Sequence, residues 1–148
     1  MKAKQTWGRM SVMSTASTQE GGASMRLDFH GASVRAARER LRRDLAPRCT
    51  DSRLEDARVV VSELVANSLR HAKPLDDDKI AVAWTFEPDV VRLTVTDGGS
   101  PTSVPSERRP GELAVGGRGL KIVQSLANRW GVQAEESGTT VWAELSLA

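Results

Sequence analysis

The spacing of apolar residues changes several times along the chain, and each change predicts a new element. Val34, Ala37, Leu41 and Leu45 recur at helical spacing, so a helix is expected that Ser33 caps and Pro47 ends. Ser52 and Glu55 then stand in capping-box spacing. Beyond them Leu54, Ala57, Val61, Leu64, Val65, Ser68 and Ala72 share one helical side, predicting a long helix with that side against the core, closed by Pro74 and the acids after it. The period next drops to two. Ile80, Val82, Trp84 and Phe86 alternate, as do Val91, Leu93 and Val95, and Glu87-Pro88-Asp89 between them predicts a hairpin. From Gly98 to Gly117 the chain is polar and holds Pro101, Pro105 and Pro110, so a long loop is expected. Leu120, Val123 and Ala127 restore the helical period over 118–128, and two last strands, 132–136 and 139–147, turn at Ser137-Gly138. Residues 25–30 alternate weakly, as an edge strand would. The order β, α, α, β, β, loop, α, β, β suits an α+β fold in two layers, a mixed and mostly antiparallel sheet with helices on one face.

Composition narrows this to one soluble globular domain, with 39% hydrophobic and 27% charged residues in 148. No run approaches the roughly 18 apolar residues of a membrane span, and no secretory signal core is present, so a cytoplasmic protein that does not enter membranes is expected. Cys49 is the single cysteine and forms neither a disulfide nor a cysteine metal cluster on its own. The net charge of +2 belongs to residues 1–24: three of the 21 basic and one of the 19 acidic residues fall there, leaving 18 of each from Met25 onward. Direct binding to nucleic acid is therefore not expected. That first stretch, rich in Ser, Thr, Gly and Ala, is expected to be a disordered arm ahead of a domain over 25–148, and Met25 is an alternative start to Met1.

Three places carry candidate chemistry. Glu63, Asn67 and Arg70 form one polar stripe beside the buried side of the long helix. The stripe is either solvated surface or a set in which a carboxylate activates a hydroxyl, an amide oxygen holds a hard cation and a guanidinium holds phosphate. Asp97 ends a strand and enters Gly98-Gly99, either an ordinary Asp-Gly turn or a carboxylate set to accept an exocyclic amine. Gly116-Gly117-Arg118-Gly119 precedes an apolar helix, where successive N–H groups can cradle anionic oxygens, although flexible loops share this composition. Gly111 and Gly116 have P-loop spacing, but Gly117-Arg118 stands where Lys-Ser/Thr is required, which excludes the Walker mechanism.

In this order the segments resemble the ATP-binding GHKL, or histidine kinase-like, superfamily across residues 25–148. Glu63-Leu64-Val65-Ala66-Asn67-Ser68-Leu69-Arg70-His71-Ala72 looks like its N box, Asp97-Gly98-Gly99 like the first glycine box, Gly116-Gly117-Arg118-Gly119-Leu120 like the second, and Gly138-Thr139-Thr140 like the third. The first box departs from the fuller Asp-x-Gly-x-Gly pattern, since Pro101 stands where a further glycine is expected. Within the superfamily the chain looks most like bacterial anti-sigma-factor serine/threonine kinases. The resemblance implies a Bergerat-type fold and the cofactors ATP and Mg²⁺. It implies that Asn67 binds Mg²⁺, Asp97 the adenine amine, Thr139 or Thr140 the adenine edge, and Gly99, Gly117, Gly119 and Leu120 the remainder of the pocket. Arg70 would touch phosphate, and Glu63 would be the general base. Residues 100–115 would be a lid carrying Arg108 and Arg109. The partners implied are a sigma factor and an anti-anti-sigma protein that receives the phosphoryl group. Arg35, Arg38, Arg40, Arg42 and Arg43 make the first helix basic, most simply a solvated face, to which the resemblance adds a partner or homodimer surface.

The same pocket also suits a module that senses ATP and switches partners without phosphotransfer. A histidine kinase would need a phosphoacceptor histidine on a dimerisation helix, and neither His30 nor His71 is so placed. Asp76-Asp77-Asp78 reads as a solvated run, and Trp84, Trp130 and Trp142 as core or interface residues.

Overall fold

The structure, a computed structural model, describes residues 21–99 and 117–148, with backbone only for 117–119. Five strands, β1 (Gly22–Asp28), β2 (Lys79–Glu87), β3 (Val90–Asp97), β4 (Arg129–Glu135) and β5 (Gly138–Ser146), form one sheet in the order β1-β2-β3-β5-β4. All four ladders are antiparallel. Three helices, α1 (Ala32–Leu45), α2 (Asp51–His71) and α3 (Gly117–Leu126), complete the α+β two-layer fold. Helix α2 lies against β3 and β5, with α1 and α3 packed beside it.

Alternation in the strands decides which side chains meet the helices. Ile80, Val82, Trp84, Val91, Leu93, Val95, Val141, Ala143 and Leu145 are buried, and with Ala37, Leu41, Val60, Val61, Leu64, Val65 and Val123 they make one core. Trp84 belongs to it, its indole N–H donating to Asp44 of α1 at 2.9 Å. Trp130 packs half-buried against the core, whereas Trp142 sits on the opposite face of the sheet with Arg129 stacked above its ring.

Both expected helix caps are displaced toward the N-terminus. Helix α1 starts at Ala32 after Gly31, so Ser33 is already helical and its hydroxyl donates to the Asp28 carbonyl at 2.6 Å. Helix α2 is capped by Thr50, whose hydroxyl accepts from the Arg53 N–H, rather than by Ser52. The cause is the 3₁₀ turn Ala46–Arg48: after it Cys49 and Thr50 are extended, and the last extended residue is the one whose side chain can turn back onto the first turn. Glu55 pairs with Arg58 instead of closing a capping box. At the other boundary, β1 begins at Gly22, so residues 22–24 are part of the edge strand and not of an arm. The rest of the arm and the lid over 100–115 lie outside the described residues.

Candidate functional site

The last residue of β3 carries the clearest chemistry. Asp97 shares its face with Val91, Leu93 and Val95, so the pattern that builds the core also drives a carboxylate toward α2, where it is 4% exposed. Its Oδ2 accepts from the Ser68 hydroxyl at 2.5 Å, and its Oδ1 accepts from the Gly99 N–H at 2.8 Å. Burial raises the Asp97 pKa above the usual carboxylate range, and the hydrogen bonds from Ser68 and Gly99 oppose that rise only in part. No charged group among the described residues contributes to the shift.

The turn after Asp97 is held by backbone contact. The Gly98 N–H donates to the Lys73 carbonyl at 2.7 Å, and the Lys73 N–H donates to the Gly99 carbonyl at 3.0 Å, so the chain leaving α2 is tied to the end of β3. A Cβ at position 98 would stand 2.1 Å from the Pro74 carbonyl oxygen, which only glycine avoids. Gly138, at φ +154, likewise lets β5 approach β3: a Cβ there would lie 2.0 Å from the Asp97 carbonyl oxygen. The Asp-Gly-Gly and Gly-Thr-Thr segments are thus in contact through positions that exclude side chains.

Helix α2 supplies the facing wall. Asn67 precedes Ser68, and its side-chain Oδ1 is buried without a hydrogen-bond partner among the described residues. Such an orphaned carbonyl normally costs stability unless something outside the chain occupies it. Glu63 stands one turn earlier on the helix, half-buried, and Arg70 follows at the exposed end. Arg70 forms no ion pair among the described residues. On the other flank α3 opens at Gly117, placing Gly117 and Gly119 in its first turn, where backbone N–H groups have no helical acceptor. Leu120 is 5% exposed and packs in the core.

The two threonines separate. Thr139 is opposite Asp97 across the β3–β5 ladder and therefore on its face, whereas Thr140 is opposite Thr96 and its hydroxyl bonds the Thr96 hydroxyl at 2.7 Å on the far face. Asp97, Gly99 and Thr139 thus lie together on the helix side with Ser68 of α2, and Thr140 does not. Ser68 was missed as a site residue, although a serine among apolar positions on the inner side of α2 was the available signal.

Asn67 fits a magnesium ion in the way such ions are usually held. Mg²⁺ takes few protein ligands and completes its shell with phosphate oxygens and water, and the orphaned amide oxygen is one hard donor of that kind. Among the described residues no group of three or more His, Cys, Asp or Glu could hold a metal alone. Asp77 of the acidic run is instead paired with Arg26 at 2.8 Å. Cys49 is a poor nucleophile, since burial pushes its thiol pKa up. The basic first helix is partly neutralised, Arg40 by Asp44 and Arg42 by Glu39. No described helix is long and apolar enough to cross a membrane.

A family model described as a histidine kinase-like ATPase domain matches residues 29–145. The protein is similar to the serine-protein kinase RsbW of Listeria monocytogenes serotype 4a (strain HCC23), at 33% identity over an 86-residue alignment that covers 49% of this chain and 54% of that protein. The same figures hold for RsbW of serotype 4b (strain CLIP80459). The chain spans about half the length of these curated relatives, 54% in each case. It also resembles the crystal structure of the RsbU and RsbW domains of Rv1364c from Mycobacterium tuberculosis, with a TM-score of 0.63 and 25% identity, covering 84% of this chain and 32% of that one.

Proposed function

The chain belongs to the histidine kinase-like ATPase family, and from that premise we propose that it binds ATP with Mg²⁺ between α2 and the Asp97 end of β3 and transfers the γ-phosphoryl group to a serine or threonine of a protein partner. The observation that carries this reading is the pair of adjacent helix residues Asn67 and Ser68: among the described residues, one has a buried amide oxygen with no hydrogen-bond partner, and the other holds a buried carboxylate with no cation beside it. Each group is left incomplete by the fold, and a magnesium nucleotide would complete both. The similarity to serine-protein kinases named RsbW supports the choice of phosphoryl acceptor. From the resemblance of its N box and glycine boxes to anti-sigma-factor kinases, the proposed partners are a sigma factor that the protein sequesters and an anti-anti-sigma protein that it phosphorylates.

In this mechanism bound ATP supplies the phosphoryl group and Mg²⁺ shields its charge. Asn67 offers the cation its amide oxygen. Asp97 accepts the adenine amine, Thr139 lies on the same face for the ring edge, and Gly99 lets the ring approach the backbone. Gly117 and Gly119 present N–H groups at the start of α3, and Arg70, free of ion pairs among the described residues, offers a guanidinium to phosphate. Glu63, one turn from Asn67, would take the proton of the partner's hydroxyl as its oxygen bonds to the γ-phosphorus and the bond from that phosphorus to the β,γ-bridging oxygen breaks, releasing ADP. Phosphoryl transfer asks for alignment and charge neutralisation more than covalent chemistry, so one base and a ring of donors are sufficient.

The purified chain incubated with labelled ATP, Mg²⁺ and the anti-anti-sigma protein encoded nearby is expected to yield phosphoserine or phosphothreonine. Glu63→Ala is expected to abolish the product while ATP still binds. Unchanged transfer by that variant would remove the base assignment, and nucleotide-dependent partner binding with no labelled product would leave a sensing module in place of a kinase.

A further inference from the structure

Serine in the middle of a helix usually bonds back to a carbonyl four residues earlier in its own helix. Ser68 does not: its hydroxyl crosses to β3 and donates to Asp97 Oδ2 at 2.5 Å. With the Gly99 N–H on Oδ1, each carboxylate oxygen receives one neutral donor among the described residues and has a second lone pair to offer. Ser68 is itself 2% exposed, so neither partner is compensated by bulk water.

A hydroxyl committed as donor keeps the carboxylate an acceptor only. Such a group welcomes the amine of an amino-purine and repels the carbonyl oxygen of a keto-purine. If the carboxyl is protonated, it can donate to a carbonyl oxygen and the preference is lost. We propose that Ser68 is a positioning residue for base recognition, its hydrogen bond holding Asp97 as an ionised acceptor and so setting the preference for amino-purine over keto-purine nucleotides. The inference rests on the nucleotide-binding reading above and deepens it.

The balance at Asp97 makes the hydroxyl consequential. Desolvation raises the pKa, and Ser68 is the foremost group that lowers it again, ahead of Gly99. Around the carboxylate stand Ser68 from α2, Gly99 from its own strand end and Thr139 from β5. The titratable residues on the facing end of α2 and just after it, Glu63, Arg70, His71 and Lys73, are not among the causes of the shift. Removing the hydroxyl therefore leaves desolvation opposed by a single backbone N–H.

The test compares binding of ATP and inosine triphosphate, which differ by an amine against a carbonyl, to the intact chain with Mg²⁺ between about pH 5.5 and 8. Wild type should prefer ATP, and the preference should narrow on acidification. Ser68→Ala should reduce the preference about tenfold at neutral pH, the size expected for losing one hydrogen bond to a charged group, and its narrowing should begin at higher pH. Ser68→Thr, which keeps the donor, should restore both. A purely structural Ser68 would lower thermal stability while leaving the preference and its pH profile unchanged, and that result overturns the proposal. If Ser68→Ala does not fold, a wild-type preference that stays flat with pH overturns it equally. Wild type that binds neither nucleotide removes the nucleotide reading itself, whereas ATP binding with an unchanged ratio in Ser68→Ala removes this inference alone.

Discussion

Glu144 on β5 and Asp97 on β3 are both buried, at 8% and 4% exposure, yet they lie on opposite faces of the sheet and keep different company. Glu144 stands between two guanidinium groups: it accepts from Arg92 Nε at 2.7 Å and from a second Arg92 nitrogen, and Arg129 lies 3.6 Å away on the other neighbouring strand. Among the described residues, Asp97 has only a hydroxyl and one backbone N–H. A buried carboxylate with a cation on either side is complete within the fold. One with neutral donors alone is disfavoured as an anion, and keeping it is intelligible when a ligand supplies what is missing. The difference separates a carboxylate that holds strands together from one that waits for a partner, although both would count simply as buried acids.

The largest effect should come from Asp97→Asn. The amide fits the fold: its oxygen can accept from Gly99 and its nitrogen can donate to the Ser68 oxygen, so the apo protein should melt no lower than wild type. An amine brought by adenine then meets an NH₂ group in place of an acceptor, and ATP affinity should fall by about a hundredfold, the upper range for a hydrogen bond to a charged group. Calorimetric titration would measure it. Unchanged affinity would place the two carboxylates in the same structural class.

Glu144→Gln tests the other side, with a smaller effect and the opposite signature. The neutral side chain leaves Arg92 and Arg129 facing each other across it, and Arg92, at 23% side-chain exposure, retains Glu87 as an ionic partner at 3.4 Å. A loss of about 2 kcal/mol in unfolding free energy is expected, measured by urea denaturation, with ATP affinity unaltered because the residue faces away from α2. A stable variant with weakened ATP binding would reverse the assignment of the two faces.

How much of this contrast the amino-acid sequence discloses depends on how far apart the partners are. Within an element the signals were sufficient: period two delivered β2 and β3, Pro88-Asp89 their turn, and helical spacing the inner side of α2. The expected cap of α2 failed because the 3₁₀ turn at Pro47, after which Cys49 and Thr50 are extended, sets where that helix begins, and spacing alone does not contain it. Across elements, legibility ends. Thr139 and Thr140 are equivalent as a motif until the β3–β5 register puts them on opposite faces, and β5 reaches β3 by passing over β4 in the strand order. Ser68 was visible as a polar residue on an apolar stripe, but its partner is 29 positions away. The pairing of Arg92 with Glu144 spans 52 and leaves no local trace. The N box and glycine boxes were legible because each is contiguous, yet nothing in them reveals that Lys73, Gly98 and Gly99 tie the end of α2 to the end of β3.

The smallest effect is also the most direct test of why Asp97 differs from Glu144. Because burial raises the folded-state pKa of Asp97 above its unfolded value, the native protein holds that proton more tightly than the unfolded chain does. The resulting stability is complete below the unfolded pKa and is lost as pH rises through the folded pKa, after which the deficit stays constant. Asp28, Glu39 and Asp77 run the other way: hydrogen bonds from Lys79, Arg42 and Arg26 lower their pKa values, so their contribution is lost as pH falls. The total stability curve therefore mixes the two signs, and the Asp97 part must be taken as a difference. Unfolding free energies of wild type and Asp97→Asn, measured side by side from the ordinary carboxylate range up to neutrality, should diverge in favour of the variant as pH increases and become parallel above the Asp97 pKa. Curves that remain parallel throughout would mean that desolvation of an uncompensated charge is not what distinguishes this carboxylate, and the contrast with Glu144 would then reduce to geometry alone.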